Sequence, residues 1–144
     1  MDDTGDDKPL SHKRRQELLD RVQRKSATVG QQLPESVEIQ GTEMNLKEFV
    51  WETKRQGTVP PELRDRVREV RAKLTAERKD RKQRLESADL PEKEAEDLAQ
   101  SIVGIDRAIS ALQNLHEPDL ADSARQAEVE SSRRWVSFLD NILD

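Results

Sequence analysis

The sequence predicts a mainly α fold of about five helices, including a long antiparallel helical hairpin, with one small β-hairpin at residues 37–46. Three observations lead there. Leu98, Ile102, Ile105, Ile109 and Leu112 recur at alternating spacings of four and three, the period of one helix face. Leu63, Val67, Val70 and Leu74 repeat that pattern one helix earlier, and the short connection ADLP makes the two helices antiparallel neighbours. Strand-like alternation is clearest in VEIQGTEMNL, where Val37, Ile39, Met44 and Leu46 alternate with polar residues.

The central element is the helix Leu98–His116. Beside its apolar stripe runs a small one, Ser101, Gly104, Ala108 and Ala111, which lets a second helix approach closely. Gly104 costs about 1 kcal/mol of helix propensity relative to Ala, a loss that close packing offsets.

A chain of 144 residues fits one domain, expected over residues 10–144. The core must be lean, since 33% of residues are hydrophobic and 38% charged. Cys is absent, which excludes disulfides and thiolate chemistry. No apolar run approaches the roughly 18 residues of a membrane span, and the Asp-rich start is no signal peptide. A cytoplasmic protein without membrane contact is the expectation. The net charge of −5 is segregated: residues 64–84 carry ten Lys/Arg against four Asp/Glu, residues 85–144 five against fourteen. Acidic, Cys-free and richer in Arg than Lys, the composition hints at a halophilic habitat.

In chain order, residues 1–9 are acidic and aperiodic and read as a disordered tail. Ser11 can cap a helix running to about Gly30, its stripe being Leu19, Val22, Ser26, Val29 and Leu33. In the hairpin, a two-residue turn at Gly41-Thr42 would set Ile39 opposite Met44 and Val37 opposite Leu46. Asn45 followed by Glu48 reads as a capping box opening the helix Leu46–Gln56. Its inner face is Leu46, Phe49, Val50 and Thr53, Trp51 falls to the flank, and Gly57 suits a left-handed stop.

Pro60-Pro61-Glu62 starts a third helix that runs to about Ser87. Past Leu74 its core stripe continues into Glu77 and Arg81, and only Leu85 and Ala88 restore it. The facing segment PEKEAEDL is equally polar, so the far end of the helical hairpin is expected to be a charged arm with little core. The last helix, capped by Asp119 or Asp122, turns Leu120, Ala124, Ala127, Ser131, Trp135, Phe138 and Ile142 inward and carries Val136, Leu139 and Leu143 on a second apolar face.

The strings GTEMNLKEFVWETKRQGTVPPE and SIVGIDRAISAL resemble a small haloarchaeal protein family of unknown function, over about residues 10–142. The resemblance implies no activity and no functional residue.

Enzyme signatures are mostly absent: there is no GxGxxG, P-loop or GxSxG. Nothing calls for a cofactor or a metal. His116-Glu117-x-Asp119 could hold a metal weakly but reads better as a solvated or capping histidine at a helix end, and Glu92 with Glu96 as a solvated face. The constellation that carries weight is a basic stripe on the third helix, Arg64, Arg68, Arg71, Arg78 and Lys82, which could track a phosphate backbone, with Lys54, Arg55 and Trp51 extending it. Opposite lie Glu86, Asp89, Glu92, Glu94, Glu96 and Asp97, and pairing with them is the expected outcome for the stripe. The C-terminal residues Trp135, Val136, Phe138, Leu139, Ile142 and Leu143 are the candidate protein interface.

The functional expectation is a non-enzymatic interaction module that self-associates as a homo-oligomer and presents a charged helical arm to a macromolecular partner. The alternative is a nucleic-acid-associated regulatory protein using the third-helix stripe.

Overall fold

The computed structural model describes residues 8–25, 36–116 and 133–143. Five α-helices lie among them: α1 (His12–Lys25), α2 (Leu46–Gln56), α3 (Arg64–Ser87), α4 (Glu92–Gln113) and α5 (Arg133–Leu143). Two strands, β1 (Val37–Ile39) and β2 (Thr42–Met44), form one antiparallel hairpin, and a 3-10 turn, Pro61–Leu63, leads into α3. The mainly α class and the single hairpin agree with the sequence reading.

α4 sits at the centre, with α1, α2 and α3 all packed on it. Its predicted stripe is buried throughout, and so are Ser101, Gly104, Ala108 and Ala111 on the small flank. A helix apolar on one side and small on the next can bury nearly its whole circumference.

The hairpin corrects the expected register. Val37 pairs with Met44 and Ile39 with Thr42, around a turn at Gln40-Gly41 rather than Gly41-Thr42. Both turn residues have positive φ, +49° at Gln40 and +87° at Gly41. That pair of angles is the mirror-image turn whose twist suits a two-residue hairpin. Gln40 accepts the left-handed conformation because Glu77 on α3 takes hydrogen bonds from its backbone N–H (3.1 Å) and its side-chain amide (2.9 Å). Leu46 consequently opens α2 instead of pairing in the sheet.

The helix ends follow local chemistry. The Ser11 hydroxyl accepts from the Arg14 N–H at 3.0 Å, and the Asn45 side chain accepts from the Glu48 N–H at 3.0 Å. Gly57 closes α2 at φ +74°, its N–H reaching Thr53 O. Two helix C-termini are stabilised by cations from neighbouring helices, where their negative dipole ends favour positive charge. The Arg15 guanidinium donates to Leu85 O (2.5 Å) and Ala88 O (2.7 Å) at the end of α3. Lys73 Nζ donates to Ile142 O at the end of α5 (3.0 Å).

Two apolar clusters result. The larger joins the hairpin, α2, the first half of α3, the second half of α4, and α5, around Phe49, Leu74, Ile105 and Trp135. The smaller unites Leu18 and Val22 of α1 with Leu85, Leu90, Ala95, Leu98, Ala99, Ile102 and Val103. This second cluster overturns the expected bare charged arm: α1 lies across the far end of the α3–α4 hairpin and supplies its core. Leu18, not Leu19, is the fully buried residue of α1. Ser26, Val29, Gly30 and Leu33 lie outside the described residues, as do Asp119 to Ser131 before α5 and the acidic residues 1–7.

Short backbone bridges tie the connections down. Lys8 and Pro9, read from sequence as part of the tail, run antiparallel to the α3–α4 connection, with Leu10 N–H to Leu90 O at 3.0 Å and Glu92 N–H to Lys8 O at 2.6 Å. Thr58 and His116 form a parallel bridge that fastens the exit of α2 to the exit of α4.

Candidate functional site

The polar layer between the two clusters is built from residues whose sequence positions promised core. Glu77 and Arg81 continue the α3 stripe, one turn apart on one face. Arg81 Nε bonds Glu77 at 2.7 Å, its Nη1 reaches Ser101 Oγ at 2.9 Å and its Nη2 reaches Glu38 O at 2.6 Å. Burial alone would push the Glu77 carboxyl up, but hydrogen bonds from Arg81 and from Gln40 outweigh it and hold Glu77 below the usual carboxylate range. All these donors and acceptors are occupied, so the layer ties hairpin to helices as structure. Beside it lies an open pocket of about 360 Å³ lined by Glu38, Arg81, Asp97, Gln100 and Ser101 among others.

The basic stripe of α3 is divided among several environments. Arg64 and Arg71 are half-buried, whereas Arg68 and Lys82 are exposed. Arg68 lies 3.5 Å from Asp65 in an exposed pair worth little. Arg78 forms an ion pair with Asp106 of α4, at the rim of a polar pocket of about 330 Å³ that also contains Thr75, Ile109, Ser110 and Gln113.

Among the described residues, no ion pair joins the stripe to Glu86, Asp89, Glu92, Glu94, Glu96 or Asp97, the pairing that the sequence suggests. Glu96 is bound by Arg14 of α1 at 2.8 Å, and Glu94 lies 3.8 Å from Arg84, outside the stripe. The Glu96 hydrogen bond, helped by Glu17, raises the Arg14 pKa. α1 arrives from a distant part of the sequence and its Arg14 takes the Glu96 carboxylate, a contact outside any pairing of α3 with α4 alone.

The six C-terminal interface candidates separate by burial. Trp135, Leu139 and Ile142 are sealed in the larger cluster, each 1% exposed or less. Leu139 therefore belongs to the buried face and Phe138 to its flank. The indole N–H of Trp135 donates to Thr53 Oγ1 at 3.0 Å, and that hydroxyl donates to Phe49 O at 2.7 Å, so the buried polar groups are satisfied. Val136, Phe138 and Leu143 are partly buried against the same cluster, with the Phe138 ring edge-on to Phe49 at 5.9 Å.

One large apolar side chain among the described residues is exposed: Trp51, at 65%. The inner face of α2 is fixed by Leu46, Phe49, Val50 and Thr53, and the 100° advance per residue places Trp51 at its outermost point. Lys47 one turn before, and Lys54 and Arg55 one turn after, share that outward side, and all three are exposed. Along the edge toward α5, Glu48 and Glu52 face Arg134. Glu48 forms the closer ion pair, and its hydrogen bond raises the Arg134 pKa. Lys47 had escaped the sequence reading; its position four residues before Trp51 was the available signal.

Among the described residues, no group of three or more His, Cys, Asp or Glu is placed to hold a metal, and no helix is long and apolar enough to cross a membrane. Glu117 and Asp119 of the His116 cluster lie outside the described residues. These features define a mainly helical domain in which Arg14, Arg15, Lys73, Arg78 and Arg81 tie elements together and one large aromatic among the described residues, Trp51, is exposed. The chain belongs to DUF5788, a family of unknown function, which matches residues 10–140. No curated protein and no solved structure matches it.

Proposed function

We propose that this chain is a non-enzymatic interaction module whose docking surface for a macromolecular partner is the outward face of α2. The observation that carries the reading is Trp51, a residue of large binding potential held mostly in water. The charged groups elsewhere support it by contrast. Arg14, Arg15, Lys73, Arg78 and Arg81 are engaged in holding helices together, so the far end of the α3–α4 hairpin offers a partner less than its sequence suggests. A photo-crosslinking side chain at position 51, expressed in the source cell, should form macromolecular adducts that the same group at exposed Lys79 of α3 does not. Equal labelling at both positions would remove the assignment.

Self-association belongs to the same proposal, through Val136, Phe138 and Leu143, the flank of α5 that remains partly open. Light scattering should then show a species larger than 16.6 kDa, and a clean monomer throughout the micromolar range would sink it. The acidic, Arg-rich composition supports a salt-rich habitat, so both measurements belong over a series of KCl concentrations.

A further inference from the structure

We propose that the partner docked on α2 is a single-stranded nucleic acid, with Trp51 as the platform on which a base stacks and Lys47, Lys54 and Arg55 as phosphate contacts. The inference rests on the docking reading above and names its partner.

Three observations favour this occupant over an acidic protein. First, Trp51 is an isolated aromatic, since no second large hydrophobic is exposed among the described residues. A protein interface desolvates an apolar patch and is depleted in Lys, whereas here the aromatic is flanked by Lys47, Lys54 and Arg55, and the nearby carboxylates Glu48 and Glu52 face Arg134. Second, Lys47, Lys54 and Arg55 carry no ion pair or side-chain hydrogen bond among the described residues, while Arg14, Arg78, Arg81 and Arg134 on other helices are all paired. Binding phosphate therefore breaks no existing pair. Third, Arg55 lies eight positions after Lys47 on one helix, about 12 Å along the axis, with the indole between them. A strand following the helix can thus contact cations before and after the base that stacks. A duplex cannot use the indole in this way, because its bases are already stacked on one another.

The α3 stripe is not needed. It had suggested a nucleic-acid site by sequence, but Arg78 is committed to Asp106 and Arg64 and Arg71 are half-buried.

The chain contains its own optical reporter. Trp135 is fully buried, so a change in Trp emission on adding a polyanion reads Trp51. The test titrates the full chain with oligothymidylate of about a dozen nucleotides, a length within single-strand site sizes. The same sequence as a duplex, and polyglutamate, serve as comparisons. Quenching by the single strand, weaker by the duplex and absent with polyglutamate, is expected. Followed by the fluorescence anisotropy of a dye-labelled strand, because the variant lacks the optical reporter, Trp51→Ala should weaken single-strand binding about 5- to 150-fold, the factor corresponding to one stacked base. Log affinity should fall against log salt with a slope near −2, and each of Lys47→Gln, Lys54→Gln and Arg55→Gln should flatten it by about 0.7. Circular dichroism of each variant separates lost contacts from lost folding. Absence of binding, or single-strand binding indifferent to all four substitutions, overturns the inference. Binding of polyglutamate that depends on Trp51 also overturns it, but leaves the docking face standing. Equal crosslinking at positions 51 and 79 removes the docking face itself.

Discussion

The cluster around Trp135 draws side chains from the hairpin, α2, α3, α4 and α5, whereas the cluster around Leu18 depends on α1 lying across the ends of α3 and α4. The first is thick and closed by aromatic residues. The second is assembled from Leu, Val, Ile and Ala, with Arg14 and Arg15 fastening its single covering helix. Between them lies the Glu77–Arg81–Ser101 layer, which interrupts apolar contact along the α3–α4 seam. A domain divided in this way can lose its smaller part first, because local stability follows the apolar area each part buries.

The comparison is tested most severely by Trp135→Ala, expected to cost about 3–5 kcal/mol as a large buried aromatic is deleted and Thr53 loses its partner. Urea unfolding measures it, and hydrogen exchange should show protection falling in both clusters. Leu18→Ala should cost about 2–3 kcal/mol, at the lower end for a buried Leu because α1 can detach as the cavity forms. Here exchange should accelerate in α1 and the adjoining ends of α3 and α4, sparing α2 and α5. Uniform acceleration would show that the two clusters unfold as one unit.

Glu77→Gln acts on the boundary, removing the charge that Arg81 faces, with an expected loss of about 1–2 kcal/mol. The wild-type pH dependence has a definite sign. Because folding depresses the Glu77 pKa, its contribution is complete above the ordinary value of 4.5 and lost as pH falls through the folded value. Melting curves at descending pH should therefore show a shallower acid limb in the variant, and identical limbs would assign that stability elsewhere. Smallest is Trp51→Ala, expected within about 0.5 kcal/mol of wild type because the side chain is mostly in water. A larger loss in thermal unfolding would give Trp51 a structural duty and weaken the case for docking.

The larger cluster was legible because its determinants are local. Leu63, Val67, Val70 and Leu74 repeat at helical spacing, and Asn45 and Gly57 punctuate α2 where expected. The smaller cluster was not, because Leu85, Leu90 and Ala95 stand among polar residues and become core only once Leu18 and Val22 of α1 lie across them. No spacing within α3 signals that Arg15 will close its C-terminus or that Arg14 will take Glu96. The hairpin register failed for a similar reason: positive φ at Gln40 is unexpected for that residue until Glu77 is seen bonding it. At the candidate site, Trp51 was recognised as flanking but not as the outermost point of its helix, since exposure depends on what other elements leave uncovered.

The bridge between Thr58 and His116 has a consequence for the order of folding. α3 and α4 adjoin in sequence and can pair through a short connection, whereas joining Thr58 to His116 closes a loop that contains both helices. The entropy of closing a flexible loop grows with its length, so this fastening is cheap once α3 and α4 have paired and costly before. Helical hairpin first, bridge second is the expected sequence. The bridge then holds the trailing end of α2, the helix that carries Trp51, to a scaffold already formed, so the exposed indole becomes fixed in position late in the folding of the chain.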